Sequence, residues 1–285
     1  MEADPLVSVA LPVFNGASTL SMAIRSIQRQ SHVNWELLIL DDGSVDQSLA
    51  VAENFRDPRI KIMGDGQRKG VSVRLNQAIS LAQGKYIARM DVDDISFPDR
   101  LARQVSLMEA HPEVDLTGCA MLVFKADGDI VGRYPVFTEH EDICRRPWKG
   151  FYFPHPSWLG KKRWFEKFRY TPSVFRAQDQ HLLFRSYATS RFRGLDEVLI
   201  GYREEPRSLK KMALQRLSFS NALGSTALAN GDYFLAARLI LLQILKGGGD
   251  FLNIALGAGS MRNPLETPGA HLREKWFEIF HDLQE

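Results

Sequence analysis

Three aspartates in one short stretch carry the clearest chemistry in this chain. Residues 85–100 read KYIARMDVDDISFPDR, an apolar run that breaks off at Asp91, Asp93 and Asp94. Carboxylates this close repel one another unless a cation or several hydrogen-bond donors sit among them. Hard oxygen ligands of this kind suit Mg2+ or Mn2+, above all where a substrate diphosphate completes the shell. In an extended strand Asp91 and Asp93 would share one face and Asp94 would take the other. The competing reading is a solvated acidic turn before a helix at Pro98, with Asp94 or Ser96 near its cap.

The elements that must position these acids decide between the two. Residues 7–13, VSVALPV, form an apolar-rich run of the kind found in strands buried on both faces. Asn15-Gly16 breaks the run, and Ser18 or Thr19 can cap a helix reaching about Arg29. A second strand is expected over 35–40, WELLIL, ending in Asp41-Asp42-Gly43-Ser44. A helix through Val51 and Phe55 follows, then a short strand at 59–63 and a helix over 70–82 closed by Gly84. With a strand before Asp91 and a helix over 98–110, this alternation predicts an α/β fold: an open sheet with crossover helices. Ligands of such sheets bind beyond the carboxyl ends of the strands. Asn15, Asp41-Asp42 and Asp91-Asp93 stand at three such ends.

Beyond Pro112 the pattern turns to α+β. A strand at 114–124 and a hairpin turn at Ala126-Asp127-Gly128-Asp129 lead into a strand at 130–134. Helices are expected over 139–148 and 178–187, and a last strand over 197–202. This half should extend the same sheet and form the second wall of a cleft. From residue 206 the pattern is helical, over 209–223, 226–230, 233–245 and 272–283, with Gly247-Gly248-Gly249 as a hinge or turn.

Composition excludes several classes. The 285 residues are 45% apolar and 25% charged, as in an ordinary globular protein. A net charge of +2 gives no reason to expect a nucleic-acid partner. Cys119 and Cys144 make neither a disulfide framework nor a CxxC site. The opening MEADPLVSVALPVF lacks the basic and apolar regions of a signal peptide, and no run reaches about 18 apolar residues. The nearest, 233–245, is interrupted by Arg238 and Gln243. The expected location is cytoplasmic, with peripheral contact on the cytoplasmic face of the membrane as an option.

Taken together, the motifs resemble the family 2 glycosyltransferases, inverting nucleotide-sugar enzymes of the GT-A fold. The matching pieces are LPVFNGASTL, LLILDDGSVD, GVSVRLNQAI and YIARMDVDDISFPDRL, then HPSW and AQDQHLLFR, in the family's order over about residues 6–203. The resemblance implies a GT-A domain at 1–205, with a nucleotide-sugar half at 1–112 and an acceptor half at 113–205. Residues 206–285 would be a helical C-terminal extension. It also implies a nucleotide-sugar donor, a glycan or polyprenyl-diphosphate-linked acceptor, and a role in bacterial surface-polysaccharide assembly.

The resemblance assigns roles residue by residue. The loop holding Pro12, Phe14 and Asn15 would approach the nucleotide base, largely through backbone groups. Asp41 would accept from the imide N–H of uracil, favouring a UDP-sugar, while Asp42 braces the loop. Asp91 and Asp93 fall on the DXD motif, the first toward the ribose and the last on Mn2+ or Mg2+, with Asp94 as a further ligand. The general base, Glu-Asp in the family, reads Gln178-Asp179 here, so Asp179 inherits the role. Its alternative is a first-turn residue favoured by the helix dipole. Arg74 would hold a phosphate or ribose, or pair with a surface acid, and Asn76 lies on the same nucleotide-facing helix. His155 would line the sugar or acceptor site. By strand spacing, and not by the resemblance, Arg89 should share a face with Asp91 and neutralise the acids rather than touch substrate. The chemistry has its own logic: a departing diphosphate develops charge that a divalent cation stabilises, and a single displacement needs a base for the acceptor hydroxyl.

Other readings fit less well. A sugar-phosphate nucleotidyltransferase needs a Gly-rich basic loop where Asn15-Gly16-Ala17-Ser18 stands, and a haloacid-dehalogenase-like phosphatase places its aspartates after the first strand. An EF-hand loop starting at Asp91 fails at Ser96 and Ala102. An inactive nucleotide-sugar-binding scaffold is argued against by the intact acids at 91, 93 and 179. The run Lys161-Lys162-Arg163-Trp164-Phe165 reads as a solvated face with its aromatics in the core, in preference to a lipid contact. The apolar helix at 233–245, with Arg207, Lys210 and Lys211 upstream, keeps membrane contact open.

Overall fold

The computed structural model of the chain describes residues 4–204, 209–229, 231–255 and 265–284. The first half runs β1 (Val7–Val13), α1 (Leu20–Gln28), β2 (Trp35–Asp41), α2 (Ser48–Glu53), β3 (Ile60–Gly64), α3 (Val71–Leu81), β4 (Tyr86–Arg89), β5 (Ile95–Ser96) and α4 (Arg100–Ala110). The second runs β6 (Leu116–Phe124), β7 (Ile130–Tyr134), α5 (His140–Ile143), β8 (Leu159–Lys161), α6 (Lys162–Lys167), α7 (Gln178–Ser186) and β9 (Phe192–Arg203). Three longer helices follow: α8 (Leu209–Ala229), α9 (Tyr233–Ala255) and α10 (Ala270–Gln284).

Among the described residues nine strands form one mixed sheet in the order β3-β2-β1-β4-β8-β6-β9-β5, with β7 on β6. The first four pair in parallel. β8 enters antiparallel between β4 and β6, so the second half extends the sheet. β6 and β9 are parallel, and β5 pairs antiparallel with β9.

The period of two in a strand explains the layers. Val7, Val9, Leu11, Leu37 and Ile39 face α1 and α4, meeting Ile24, Ile27, Leu101 and Val105. Ala10, Leu38 and Leu40 face the other way, toward Leu75, Ala78 and Ile79 of α3. Strands covered on both faces are apolar throughout, which is why these runs show no polar alternation. The second core continues through Trp158, Trp164, Phe165, Leu182 and Phe192. The aromatics of the basic run at 161–165 are therefore core residues, as expected. The hairpin of α8 and α9 packs Phe219, Leu223, Ala236 and Leu239 onto this same core. α10 lies elsewhere, against Ile95, Phe97, Leu122 and Phe124 through Trp276, Phe280 and Leu283.

Several element boundaries differ from expectation. Helix α4 begins at Arg100, after the β5 segment that pairs with β9. The helix expected over 139–148 is split into α5 and a 3-10 turn at Pro147–Lys149, because Pro147 has no N–H for a continuing ladder. β9 starts five residues early, and β8 was not anticipated. Helix α8 runs through Gly224 and α9 through Gly247-Gly248-Gly249, which form no hinge or turn. A helical glycine costs only about 1 kcal/mol relative to alanine, so helix continuity over neighbouring residues can absorb it. Arg207, Asn230 and the side chain of Lys211 lie outside the described residues.

Candidate active site

β4 ends at Arg89, and the amide of Asp94 donates to the carbonyl of Asp91 at 3.4 Å. Residues 91–94 are thus a turn, and the strand alternation expected of the aspartates does not hold. The turn gathers them instead: one oxygen from each of Asp91, Asp93 and Asp94 lies within 4.8 Å of the others. The loop after β1 presses on this turn, where a Cβ on Gly16 would stand 2.5 Å from a methyl of Val92.

Asp94 is 1% exposed. Its Oδ1 accepts from the amide of Arg203 at 3.2 Å, and its Oδ2 has no hydrogen-bond partner. Burial first, then the neighbouring Asp91 and Asp93, push its carboxyl well above the usual range. A buried acceptor left open is costly, and three clustered carboxylates add repulsion. A hard divalent cation removes both penalties, and the donor set fits one.

Arg89 sits beside the turn, almost wholly buried. Its Nη1 donates to Asp91 Oδ2 at 2.6 Å and its Nη2 to Asp91 Oδ1, a two-point pair. Burial opposes the charge, but Asp91 and Asp94 outweigh it and raise the pKa of the guanidinium. The backbone of Arg89 is fixed in turn by Arg100, whose Nη2 donates to its carbonyl at 2.7 Å.

His155 stands in a 3-10 turn, His155–Ser157, that leads into β8 alongside β4. Its Nε2 shares a 2.8 Å hydrogen bond with the Tyr170 hydroxyl, and its ring meets Trp158 edge-on. Burial, and then the charge of Arg89, hold its pKa well below 6.5, so the imidazole is neutral. Asn76 clamps the backbone of Tyr170, donating to its carbonyl at 2.8 Å and accepting from its amide at 3.0 Å. Asn76 therefore ties α3 to the segment after α6 through its amide.

Asp179 occupies the first turn of α7. Burial raises its carboxyl pKa, offset in part by hydrogen bonds from Gln180 and by the positive charge of Arg89. Gln180 Nε2 donates to Asp179 Oδ2 and to the carbonyl of Phe151, each at 3.2 Å, while its Oε1 accepts from the Phe151 amide at 2.7 Å. A helix N-terminus ordinarily favours the ionised carboxylate. Here desolvation wins.

The loops beyond β1, β2 and β3 are laced together. The amide of Asn15, which has a φ of 51°, donates to Ser44 Oγ, and its Oδ1 accepts from Val45. Pro12 pairs in register with Leu40, and Phe14 lies under the guanidinium of Arg68 at 4.0 Å. Asp41 accepts from the amides of Gly43 and Ser44, closing its own turn. Asp42 accepts from the amides of Lys69 and Gly70 and from Arg74 Nε at 3.0 Å. Arg74 is 1% exposed, and its other nitrogens donate to Asp65 at 2.7 Å and Gln77 at 3.0 Å. The structure thus places Arg74 inside the protein, with each guanidinium nitrogen engaged. The expectation that it holds a phosphate or ribose is not matched by a presented donor.

Sequence reasoning missed Tyr170, Gln180 and Arg203. Arg203 donates its amide to Asp94 and its Nε to the carbonyl of Asp93, from more than a hundred residues downstream. No local spacing could have signalled that contact.

Residues 8–169 match Glycosyl transferase family 2, and the chain belongs to that family of enzymes. EpsE of Bacillus subtilis (strain 168), named a glycosyltransferase, is 34% identical over 231 residues, covering 78% of this chain and 81% of its own. WfgD of Escherichia coli, named a UDP-Glc:alpha-D-GlcNAc-diphosphoundecaprenol beta-1,3-glucosyltransferase, is 39% identical over 105 residues, 37% of this chain and 42% of its own. Among solved structures, S. aureus TarS with UDP has a TM-score of 0.58 at 18% identity, over 77% of this chain and 70% of that one. Mannosyltransferase PcManGT from Pyrobaculum calidifontis, solved with GDP-Man and Mn2+, has a TM-score of 0.59 at 19% identity, over 99% and 86%. The shared fold is GT-A. Among the described residues no helix is long and apolar enough to cross a membrane.

Proposed function

We propose that this chain is an inverting, divalent-cation-dependent glycosyltransferase that moves a sugar from a UDP-sugar to a hydroxyl of a lipid-linked or glycan acceptor in surface-polysaccharide assembly. The observation that carries the reading is the gathering of Asp91, Asp93 and Asp94 at the end of β4, with the buried Oδ2 of Asp94 open. The Mn2+ seen with PcManGT and the acceptor in the name of WfgD support the metal and the lipid-linked acceptor respectively.

Asp93 and Asp94, with Asp91, would hold Mn2+ or Mg2+, which supplies Lewis-acid stabilisation to a leaving diphosphate. The chain's own groups do the rest. Asp179 takes the proton of the acceptor hydroxyl as that oxygen bonds to the anomeric carbon, and the diphosphate leaves with the electron pair. Desolvation of Asp179 makes it a stronger base than an exposed carboxylate. Neutral His155 lines the sugar side and holds Tyr170. The laced loops carrying Pro12, Phe14 and Asn15 receive the base, and Asp41, buried with both oxygens on the amides of Gly43 and Ser44, holds their shape; the UDP in the name of WfgD and in the TarS complex supports the donor. Residues 1–205 form the catalytic unit and 206–285 a helical extension, working in the cytoplasm at the membrane face.

The test is transfer from UDP-glucose or UDP-N-acetylglucosamine to a synthetic N-acetylglucosaminyl-diphospho-lipid with Mn2+, reading the anomeric configuration by NMR. Inversion is expected. Retention would overturn the mechanism, and metal-dependent nucleotide binding with no transfer to any acceptor would point to a scaffold.

A further inference from the structure

The hairpin of α8 and α9 leaves large apolar side chains in solvent. At its tip Tyr233 is 73% and Phe234 79% exposed, beside Leu228, and Leu217, Leu241 and Leu245 continue along the two helices. Bases border them. Arg238 lies over the Trp148 ring at 4.2 Å, and Lys246 Nζ donates to the carbonyl of Lys149 at 3.1 Å. These contacts fix α9 against the 3-10 turn at Pro147–Lys149, where Arg145, Arg146 and Lys149 are exposed. Among the described residues the exposed acids of the neighbouring segments are Glu139, Glu141, Asp142 and Asp232; Glu139 and Glu141 pair with Arg193 and Arg191, which leaves Asp142 and Asp232 against the five bases.

We infer that this hairpin docks on an anionic bilayer surface, its tip aromatics and leucines entering the headgroup boundary and its basic rim meeting the lipid phosphates. Apolar side chains bordered by bases are the pattern of an interfacial helix, and Tyr and Phe favour that depth. A second copy of the chain is a poorer occupant, because a two-fold contact would bring basic rim against basic rim. The inference rests on the reading of a lipid-linked acceptor and names the surface that would serve it. The hairpin is bound to the acceptor wall: Thr226 of α8 and His181 of α7 share a 3.0 Å hydrogen bond, and Asp179 opens α7. Docking would set that wall beside the lipid.

The experiment is flotation of the full chain with vesicles of phosphatidylcholine alone or with about a quarter phosphatidylglycerol. Binding is expected only with the anionic vesicles and should weaken as salt rises. Tyr233→Ser with Phe234→Ser should cut the bound fraction by about tenfold, and Arg145→Glu with Arg146→Glu should do likewise. Both variants should keep the parent's thermal shift with UDP and Mn2+. The inference fails if anionic vesicles do not float the chain, if the variants float equally well, or if the tip variant removes a concentration-dependent dimer instead. Flotation retained in a chain that shows no nucleotide-dependent shift would sink the donor reading and leave the surface standing.

Discussion

Arg89 grips both carboxylate oxygens of Asp91 from a buried position, close enough to Tyr170 and Asp179 for its charge to act on both. A planar guanidinium matches a carboxylate at two points, which an ammonium cannot do. Asp91 therefore enters any metal site already half-neutralised, and the demand on Asp93 and Asp94 is greater. Breaking such a pair leaves an uncompensated charge. Arg89→Gln should lower stability by about 2 kcal/mol, a value reduced because Asp91 is partly exposed. Adding Asp91→Asn should restore part of the loss, and urea denaturation of the cycle would show it. Unchanged stability in Arg89→Gln would mean the pair is incidental.

Asp93 and Asp94 should be separable from Asp179. Asp93→Ala should weaken Mn2+-dependent nucleotide binding. Asp179→Asn should leave that binding within about twofold and reduce turnover by about a thousandfold, the size of a general-base contribution. Calorimetric titration beside a transfer assay distinguishes the two. Loss of nucleotide binding in Asp179→Asn would contradict its placement.

The pH profile follows from burial. Asp179 acts only when ionised, and its carboxyl pKa is raised above 3.8 in the folded chain. Transfer should therefore fall on acidification at a higher pH than an exposed carboxylate would dictate. The measurement is kcat/KM against pH at saturating Mn2+. Residual transfer in Asp179→Asn should lack this acid limb.

Arg74 offers a sharp test of brace against ligand contact. Arg74→Ala should lower stability by about 3 kcal/mol, since it strips a buried ion pair from Asp42, and Arg74→Lys should not restore it. The folded variant should keep nucleotide affinity within a few fold. Intact stability with a large loss of affinity would show that Arg74 reaches the donor.

Much of this was readable in the chain. The strands of the first half are buried on both faces, so VSVALPV and WELLIL announced themselves, and the polar residues at their carboxyl ends marked the site. Strand spacing led to the expectation that Arg89 faces Asp91, and the two do pair, although β4 ends at Arg89 and Asp91 stands in the turn beyond it. Convergence of the three aspartates does not follow from that spacing, because it depends on a turn closed by one weak backbone bond and on Arg203 from the far end of β9. For Arg74 the sequence left two options, a phosphate or ribose contact and a pairing with a surface acid such as Asp65, because a cation beside a cleft and a cation inside it look alike until burial is known. The docking of Trp276 between Phe97 and Phe124, above Gly201, was likewise invisible, since a lone amphipathic helix does not name its partner.

The most direct test of the account is a thermal-shift titration of the parent chain and Asp93→Ala with UDP, GDP and dTDP, each with and without Mn2+. The account predicts a rise in Tm for UDP that requires Mn2+ and disappears in Asp93→Ala. A rise that survives removal of Mn2+ or of Asp93, or no rise with any nucleotide, would contradict it.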